Sequence, residues 1–335
     1  MAELRPLEHR QYAHCESGVV TALLKCHGLD LSEPMVFGIT GGLTFAYIPF
    51  FKITNMPLIS YRMFPGSIIK GAEKSLDVRF KMQRYSEKEK ALAELTHLVD
   101  SGEIVGLQTS VYWLPYFPPE MRFQFNAHNL IVYGREGEEF LVSDPVFDHA
   151  VRIKAEDLQN ARFARGTLAP KGFIYYPVKI NPSIDLQAAI RKSIKRTVRM
   201  MLYTPVPFIG VKGIHYLRRK IERLNPREDL KYVRLLLGHI VRMQEEIGTG
   251  GGGFRFMYAA FLQEAAHILN SHRLEEASQM MTEAGDMWRQ FASACAKACK
   301  SKTADFDVRE IARLLQKCAD QEKLVYTFLK TSLLQ

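Results

Sequence analysis

Cysteine is scarce in this chain: 335 residues contain five, at positions 15, 26, 295, 299 and 318, and no two form a Cys-x-x-Cys pair. That count and spacing exclude a disulfide scaffold and suit a reducing compartment. Cys295 and Cys299 stand one helical turn apart, but no nearby His or Cys completes a ligand set, so core packing is expected and no metal. Long apolar runs are also missing; none approaches the ~18 to 20 residues that cross a bilayer. Met1–Glu8 lacks the apolar centre of a secretory leader, and a cytoplasmic location is expected. The two signs of charge are divided unevenly between the halves. Residues 1–180 carry 20 Lys/Arg against 20 Asp/Glu, so the net charge of +9 arises wholly beyond residue 180. Within 191–223 ten basic residues face a single acid, Glu222. Such a stripe is a solvated helix face, a surface for an acidic protein, or a peripheral contact with an anionic membrane. Nucleic acid is not expected, because no binding motif accompanies the charge.

Too long for one compact core, the chain is expected to form two domains, 1–180 and 181–335, joined near Asn181-Pro182. The first half alternates. A short buried helix follows Cys15 and stops at Gly28. Strands are predicted at 58–63, 78–85, 104–110 and 173–178, with helices at 67–76, 87–100 (capped by Ser86) and 155–163. The second half holds a 3.6-residue period throughout, with helices predicted near 184–203, 208–224, 227–247, 253–270, 272–300 and 306–333. The fold class is therefore α+β followed by an all-helical domain.

Two segments carry chemistry. In His14-Cys15-Glu16-Ser17-Gly18 the thiol sits at a helix N-terminus, where the dipole and peptide N–H groups favour the thiolate below the free pKa of roughly 8.5. His128 and Asp144 flank a hairpin whose turn is placed near Glu136, a spacing that sets them on opposed positions of neighbouring strands. A cysteine facing a histidine oriented by an aspartate is the arrangement for thiol nucleophilic catalysis: Cys15 attacks, His128 moves the proton, Asp144 holds the imidazole. The resulting oxyanion needs donors. The Cys15 N–H is one candidate and the Gln11 carboxamide another. Gly41 and Gly42, within the glycine-rich stretch 37–47, read either as a tight turn or as a pocket wall. Tyr112 and Trp113, in the aromatic loop before His128, read as packing or as lining of the same pocket. A metal bound by His9, His14 and Cys15 is not expected, since it would quench the nucleophile. Gly248–Gly253 lacks the Gly-Lys-Ser/Thr ending of a nucleotide loop. It is read as a hinge, or as a helix N-terminus that receives another anion with help from Arg255.

The segments His14–Gly18, Phe37–Leu43 and Ala127-His128-Asn129 through Asp144-Pro145 resemble the N-terminal domain of the butirosin-biosynthesis acyltransferase family. Gly248–Glu264 resembles the signature of the helical domain often attached to it. The resemblance implies a papain-like cysteine-protease-type domain at 1–180 and a helical partner at 181–335. It also implies transfer of an acyl group from the phosphopantetheine thioester of an acyl carrier protein, through acyl-Cys15, to a small amine or hydroxyl acceptor. No cofactor is bound in that scheme; the phosphopantetheine arrives on the partner. Papain-like peptidases place an oxyanion glutamine about six residues before the cysteine, where this chain has His9. Two other readings share these residues: a hydrolase, either peptidase or thioesterase, and a non-catalytic scaffold for the carrier. Since acyl carrier proteins are acidic, the basic stripe, with Arg218 and Arg219, is a docking candidate. Reversing both arginines to Glu is expected to raise KM for a carrier-bound donor and to leave turnover of a small thioester unchanged. Equal losses with both donors in steady-state kinetics would remove the docking role.

Overall fold

The computed structural model describes residues 6–53 and 55–332. Contacts divide the chain into two compact units: Met1–Val36 with Pro65–Ile184, and Phe37–Phe64 with Asp185–Gln335. In chain order the first elements are α1 (Cys15–Cys26), α2 (Glu33–Thr40) and a hairpin of β1 (Leu43–Ile53) and β2 (Met56–Arg62).

The first unit continues with α3 (Ser67–Ser75), β3 (Val78–Gln83), α4 (Lys88–Asp100), β4 (Val105–Thr109), β5 (His128–Glu136), β6 (Glu139–Ser143), β7 (Val151–Lys154), α5 (Ala155–Arg162) and β8 (Ile174–Ile180). Its six strands lie in the order β3-β8-β4-β5-β6-β7, each neighbouring pair antiparallel. Every residue of β4 is buried, because helices cover both faces of the sheet centre. Leu107, Leu130, Val132, Phe140 and Val142 form one core with Leu95 and Leu98 of α4 and Leu158 of α5. Each such side chain, fully buried, contributes roughly 1.5 to 3 kcal/mol. The pleat sends Asn129 and Ile131 to the other face, where α1 packs.

The β5–β6 hairpin turns one to two residues later than the sequence spacing implies. Glu136 pairs with Glu139 across a turn in which Gly137 takes φ +61°, and a bulge lies between Val132 and Gly134. Beyond the bulge Ile131 pairs with Ser143. Continuing that register sets Asp144 beside Leu130, so His128 and Asp144 are diagonal rather than directly opposed. Side chains on diagonal positions still come within reach.

The second unit holds α6 (Leu186–Tyr203), α7 (Gly210–Glu222), α8 (Leu230–Val241), α9 (Arg255–Leu269), α10 (His272–Lys300) and α11 (Val308–Ser332). Their buried residues recur at helical spacing, as in Leu274, Ala277, Met281, Ala284, Trp288, Phe291 and Cys295 of α10. The region from Leu186 to Ser332 is helical, as expected, and the same unit also takes in the β1–β2 hairpin from earlier in the chain. Phe45 of the hairpin stacks on Trp288, and Tyr61 stands edge-on to both rings, with ring centroids 5.4 to 5.7 Å apart. An aromatic hairpin of that kind needs a core to cover it, and the helices supply one. The predicted helix to residue 247 ends instead in a π turn at Arg242–Glu246, which brings Gln244 inward to accept from the Tyr61 hydroxyl and donate to the Trp288 carbonyl.

The glycine run 248–253 receives an internal anion. The Gly252 N–H donates to the Glu245 carboxylate at 3.2 Å. Arg255 instead pairs with Glu322 through two hydrogen bonds of 2.9 and 3.2 Å, and the Trp288 indole donates to the same carboxylate at 2.5 Å. Both charges are fully buried. Breaking such a pair leaves an uncompensated charge inside and costs about 3 to 5 kcal/mol. Glu322→Ala is therefore expected to lower the urea midpoint followed by circular dichroism by that equivalent. An Arg255→Met/Glu322→Leu double variant should recover most of the loss.

Candidate active site

Cys15 is the first residue of α1, and the segment before it is tied in place by polar groups. The N-cap is His14, whose Nδ1 accepts the Ser17 N–H at 3.2 Å. Beneath the cap lies Glu33, a buried residue of α2. Its carboxylate accepts the Ala13 and His14 N–H groups at 2.8 and 2.9 Å and the Ser17 hydroxyl at 2.7 Å. Burial pushes the Glu33 pKa up, against the lowering effect of those three hydrogen bonds. Glu16, also fully buried, accepts the Ile68 N–H and so pins α1 to the start of α3.

The chain ahead of α1 runs along the segment that carries Asp144. His9 Nδ1 meets the Ser143 hydroxyl at 2.7 Å and its Nε2 meets the Phe147 carbonyl at 3.2 Å. Gln11, an exposed residue, donates its amide to the Val146 carbonyl at 2.8 Å, and the Tyr12 N–H donates to the Pro145 carbonyl at 2.9 Å. The Gln11 amide is thus spent on latching this strap, which is not the oxyanion position expected of it. His9 is held in the same strap.

His128 opens β5 beside Thr109 of β4. Its Nε2 lies 2.7 Å from Asp144 Oδ2, and both side chains are almost wholly buried. Asp144 Oδ2 also accepts the Tyr116 hydroxyl at 2.9 Å, while Oδ1 accepts the Val146 N–H at 3.0 Å. The Phe117 ring stands edge-on to the imidazole, with centroids 5.6 Å apart. With Nε2 committed to the carboxylate, Nδ1 is left for Cys15. Burial alone would depress the imidazole pKa. Asp144, together with a hydrogen bond and charge from Cys15, overrides it and raises the value to about 10. The three residues singled out from sequence are therefore brought together.

Asn129 reaches the same sulfur. Its Nδ2 lies 3.9 Å from Cys15 Sγ and donates to the Ala127 carbonyl at 3.1 Å. In the sequence this residue stands inside the histidine motif with nothing in its spacing to mark a role. The signal that locates it is strand alternation, which turns a polar side chain next to His128 toward the face of the nucleophile helix.

The remaining candidates fall elsewhere. Tyr112 and Trp113 are exposed and line a cavity of about 340 Å3 with Lys88, Asn126 and Arg165; neither Cys15 nor His128 is part of its wall. Gly41 and Gly42 belong to the other unit. A Cβ at Gly41 would lie 2.5 Å from Arg196 Nε, and one at Gly42 would lie 2.5 Å from the Phe37 ring. The close approaches there are made by the chain's own side chains. In α7, Arg218 is half-buried and ion-paired with Glu222 at 2.7 Å, whereas Arg219 is exposed beside the Tyr216 ring. Arg196, counted in the basic stripe, turns inward to the Ile39 carbonyl. Among the described residues no cluster of three or more His, Cys, Asp or Glu is placed to hold a metal, and no helix is long and apolar enough to cross a membrane.

A thiol at a helix start, backed by a buried imidazole–carboxylate pair on an antiparallel sheet, fits the class of papain-like cysteine enzymes. Residues 14–145 match the family profile described as Butirosin biosynthesis protein H, N-terminal. Residues 156–329, more than half of the chain, match the one described as Domain of unknown function (DUF4872). The chain therefore belongs to the family defined by that domain of unknown function, and its N-terminal part is similar to the butirosin biosynthesis protein H domain. No curated protein matches it. Among solved structures, the crystal structure of a putative C39-like peptidase from Bacillus anthracis is similar at 16% identity and a TM-score of 0.36. That likeness covers 52% of this chain and 94% of the other.

The imidazole pKa fixes a pH signature. An imidazolium that keeps its proton up to about 10 supports the neighbouring thiolate across neutral pH. Alkylation of Cys15 by iodoacetamide, followed by peptide mass spectrometry, is expected to begin well below the free-thiol range of roughly 8.5. A second rise should come near 10, as the imidazolium is lost. His128→Gln should collapse this to one step near the free value. Cys26, Cys295 and Cys318 should stay unmodified, because burial pushes each thiol pKa up. A single native step near 8.5 would remove the ion pair.

Proposed function

We propose that the protein is a cysteine-dependent acyltransferase that takes its acyl group from the phosphopantetheine thioester of an acyl carrier protein and delivers it to an amine or hydroxyl. The observation that carries this reading is the buried His128, held by Asp144 on one nitrogen and raised in basicity first by that carboxylate and then by Cys15. It occurs in a chain whose N-terminal half matches a biosynthetic family.

The steps follow from acidity and position. The Cys15 thiolate attacks the thioester carbonyl, and a bond forms between Sγ and the carbonyl carbon. The tetrahedral intermediate collapses by breaking the bond to the pantetheine sulfur. That sulfur leaves with the proton carried by His128, so acyl-Cys15 now faces a neutral imidazole. An acceptor amine then attacks the same carbon, His128 takes its proton, and the bond to Cys15 breaks to release the amide. Asp144 keeps Nε2 as the donor side of the ring throughout, and Tyr116 and the Val146 N–H hold the carboxylate against rotation. The acidic carrier is proposed to dock on exposed basic residues of α6 and α7, among them Arg191, Lys195, Arg199 and Arg219.

Intact-protein mass spectrometry after exposure to a panel of acyl-carrier thioesters tests the reading. The expected result is one acyl mass on the native enzyme, none on Cys15→Ala, and loss of that mass when the right amine is added, with the amide as product. Release of free acid at the same rate with and without amines would make the protein a hydrolase. No acyl mass with any donor, with Cys15 still alkylatable, would leave the scaffold reading.

A further inference from the structure

The intermediate above places a negative charge on an oxygen one carbon away from Cys15 Sγ, and Gln11 is not aimed there. Asn129 is. Its carboxamide is buried at 4% exposure, and both of its ends are fixed by neighbours of known polarity. The Ala127 carbonyl can only accept, so the end that faces it, 3.1 Å away, is the NH2 group. Oδ1 therefore points the other way and takes the Tyr175 hydroxyl at 2.9 Å. One Nδ2 hydrogen is spent on Ala127 and the second is directed toward Sγ at 3.9 Å. That span is long for a bond to the sulfur itself. It leaves room for an oxygen on the adjoining carbon to come within about 2.7 to 3.1 Å of the nitrogen, the geometry an oxyanion donor requires.

Tyr175 is fully buried in β8, two strands from β5, and reaches Asn129 across β4. Its ring lies over Gly106 of β4, where a Cβ would stand 2.6 Å from the ring atoms. A glycine at that point is what lets the phenol pass. Burial pushes the phenol pKa well up, reinforced by the charges of Glu16 and Cys15, so the hydroxyl stays protonated and able to donate.

We propose that Asn129 is the side-chain oxyanion donor of the Cys15 site, and that Tyr175 is a positioning residue that holds its carboxamide in the donating orientation. The proposal rests on the acyl-Cys15 reading and deepens it by assigning the carbonyl oxygen of the thioester, and of acyl-Cys15, to a named group. As Sγ bonds to the carbonyl carbon, the π pair moves onto that oxygen, and the Asn129 N–H receives the charge. When the pair returns, the bond to the leaving sulfur breaks, and His128 supplies the proton to the departing group.

The test separates oxyanion formation from thiolate formation. Iodoacetamide alkylates Cys15 by displacement at a saturated carbon and forms no oxyanion, whereas p-nitrophenyl acetate acylates it through one. Asn129→Ala and the near-isosteric Asn129→Asp are each expected to lose about 10²- to 10³-fold in the acylation burst. Their alkylation rates at pH 7 should stay within a few-fold of native. Tyr175→Phe should show the same split at smaller size, near tenfold. Acylation of Asn129→Ala within threefold of native overturns the assignment. So does a parallel fall of acylation and alkylation in both Asn129 variants, which would mark the residue as structural. A native enzyme that alkylates normally but gives no burst overturns the covalent reading and this proposal together. A normal native burst with no response to carrier thioesters removes only the donor class, and the Asn129 split then still supports the assignment.

Discussion

The Asp144 carboxylate has no contact with solvent, and three donors share it: the imidazole of His128, the phenol of Tyr116 and the peptide N–H of Val146. A carboxylate withdrawn from water is tolerated only when its lone pairs are met. Each donor comes from a different piece of chain, so the carboxylate orders three of them at once. The loop before β5 must bring in Tyr116, the turn after β6 must fold back at Val146, and β5 must begin at His128. The strap of residues 9–12 then fastens onto 143–147 and delivers α1 with its thiol. Geometry at Cys15 is in this sense a consequence of how one acid is satisfied.

The second unit follows the same logic with different partners. Glu322 is equally inaccessible and is answered by a guanidinium and an indole. Arg255 stands over the Trp288 and Tyr61 rings, so a single ion pair links α9, α10, α11 and the hairpin. Here no group is left for chemistry: both carboxylate oxygens are engaged, and the glycine run nearby is closed by Glu245. Asp144 differs because its imidazole partner keeps a second nitrogen for a reactive neighbour. Buried acids thus serve architecture in one half and a candidate reaction centre in the other.

Much of this was legible in the sequence because it is local. Helical periodicity from 183 onward locates all six long helices, with only α8 stopping well short of its expected end, and the punctuation by Pro226 and Gly248–Gly253 is visible in the breaks. The cysteine at a helix start is likewise a local pattern. The hairpin that joins His128 to Asp144 is visible in the spacing, but its register is not, since a bulge at 132–134 and a left-handed Gly137 cannot be counted from spacing alone. What stayed hidden was long-range. Nothing near Gln11 signals that its amide meets the carbonyl of Val146, 135 residues away. Nothing near Gly41 signals Arg196, and nothing in 37–64 shows that this stretch, early in the chain, completes the core of a domain that begins at 185.

That last arrangement bears on how the protein is made. Ribosomes release a chain from its N-terminus at roughly 5 to 20 residues per second, and domains tend to fold as they emerge. The sheet unit has all its pieces once Ile184 is out, yet the Phe45 and Tyr61 face of the hairpin must wait for Trp288, more than a hundred residues later. For that interval an aromatic ribbon hangs from a finished globule with its partner still unsynthesised. Cutting the gene between the apparent halves would leave that ribbon without the helices that cover it.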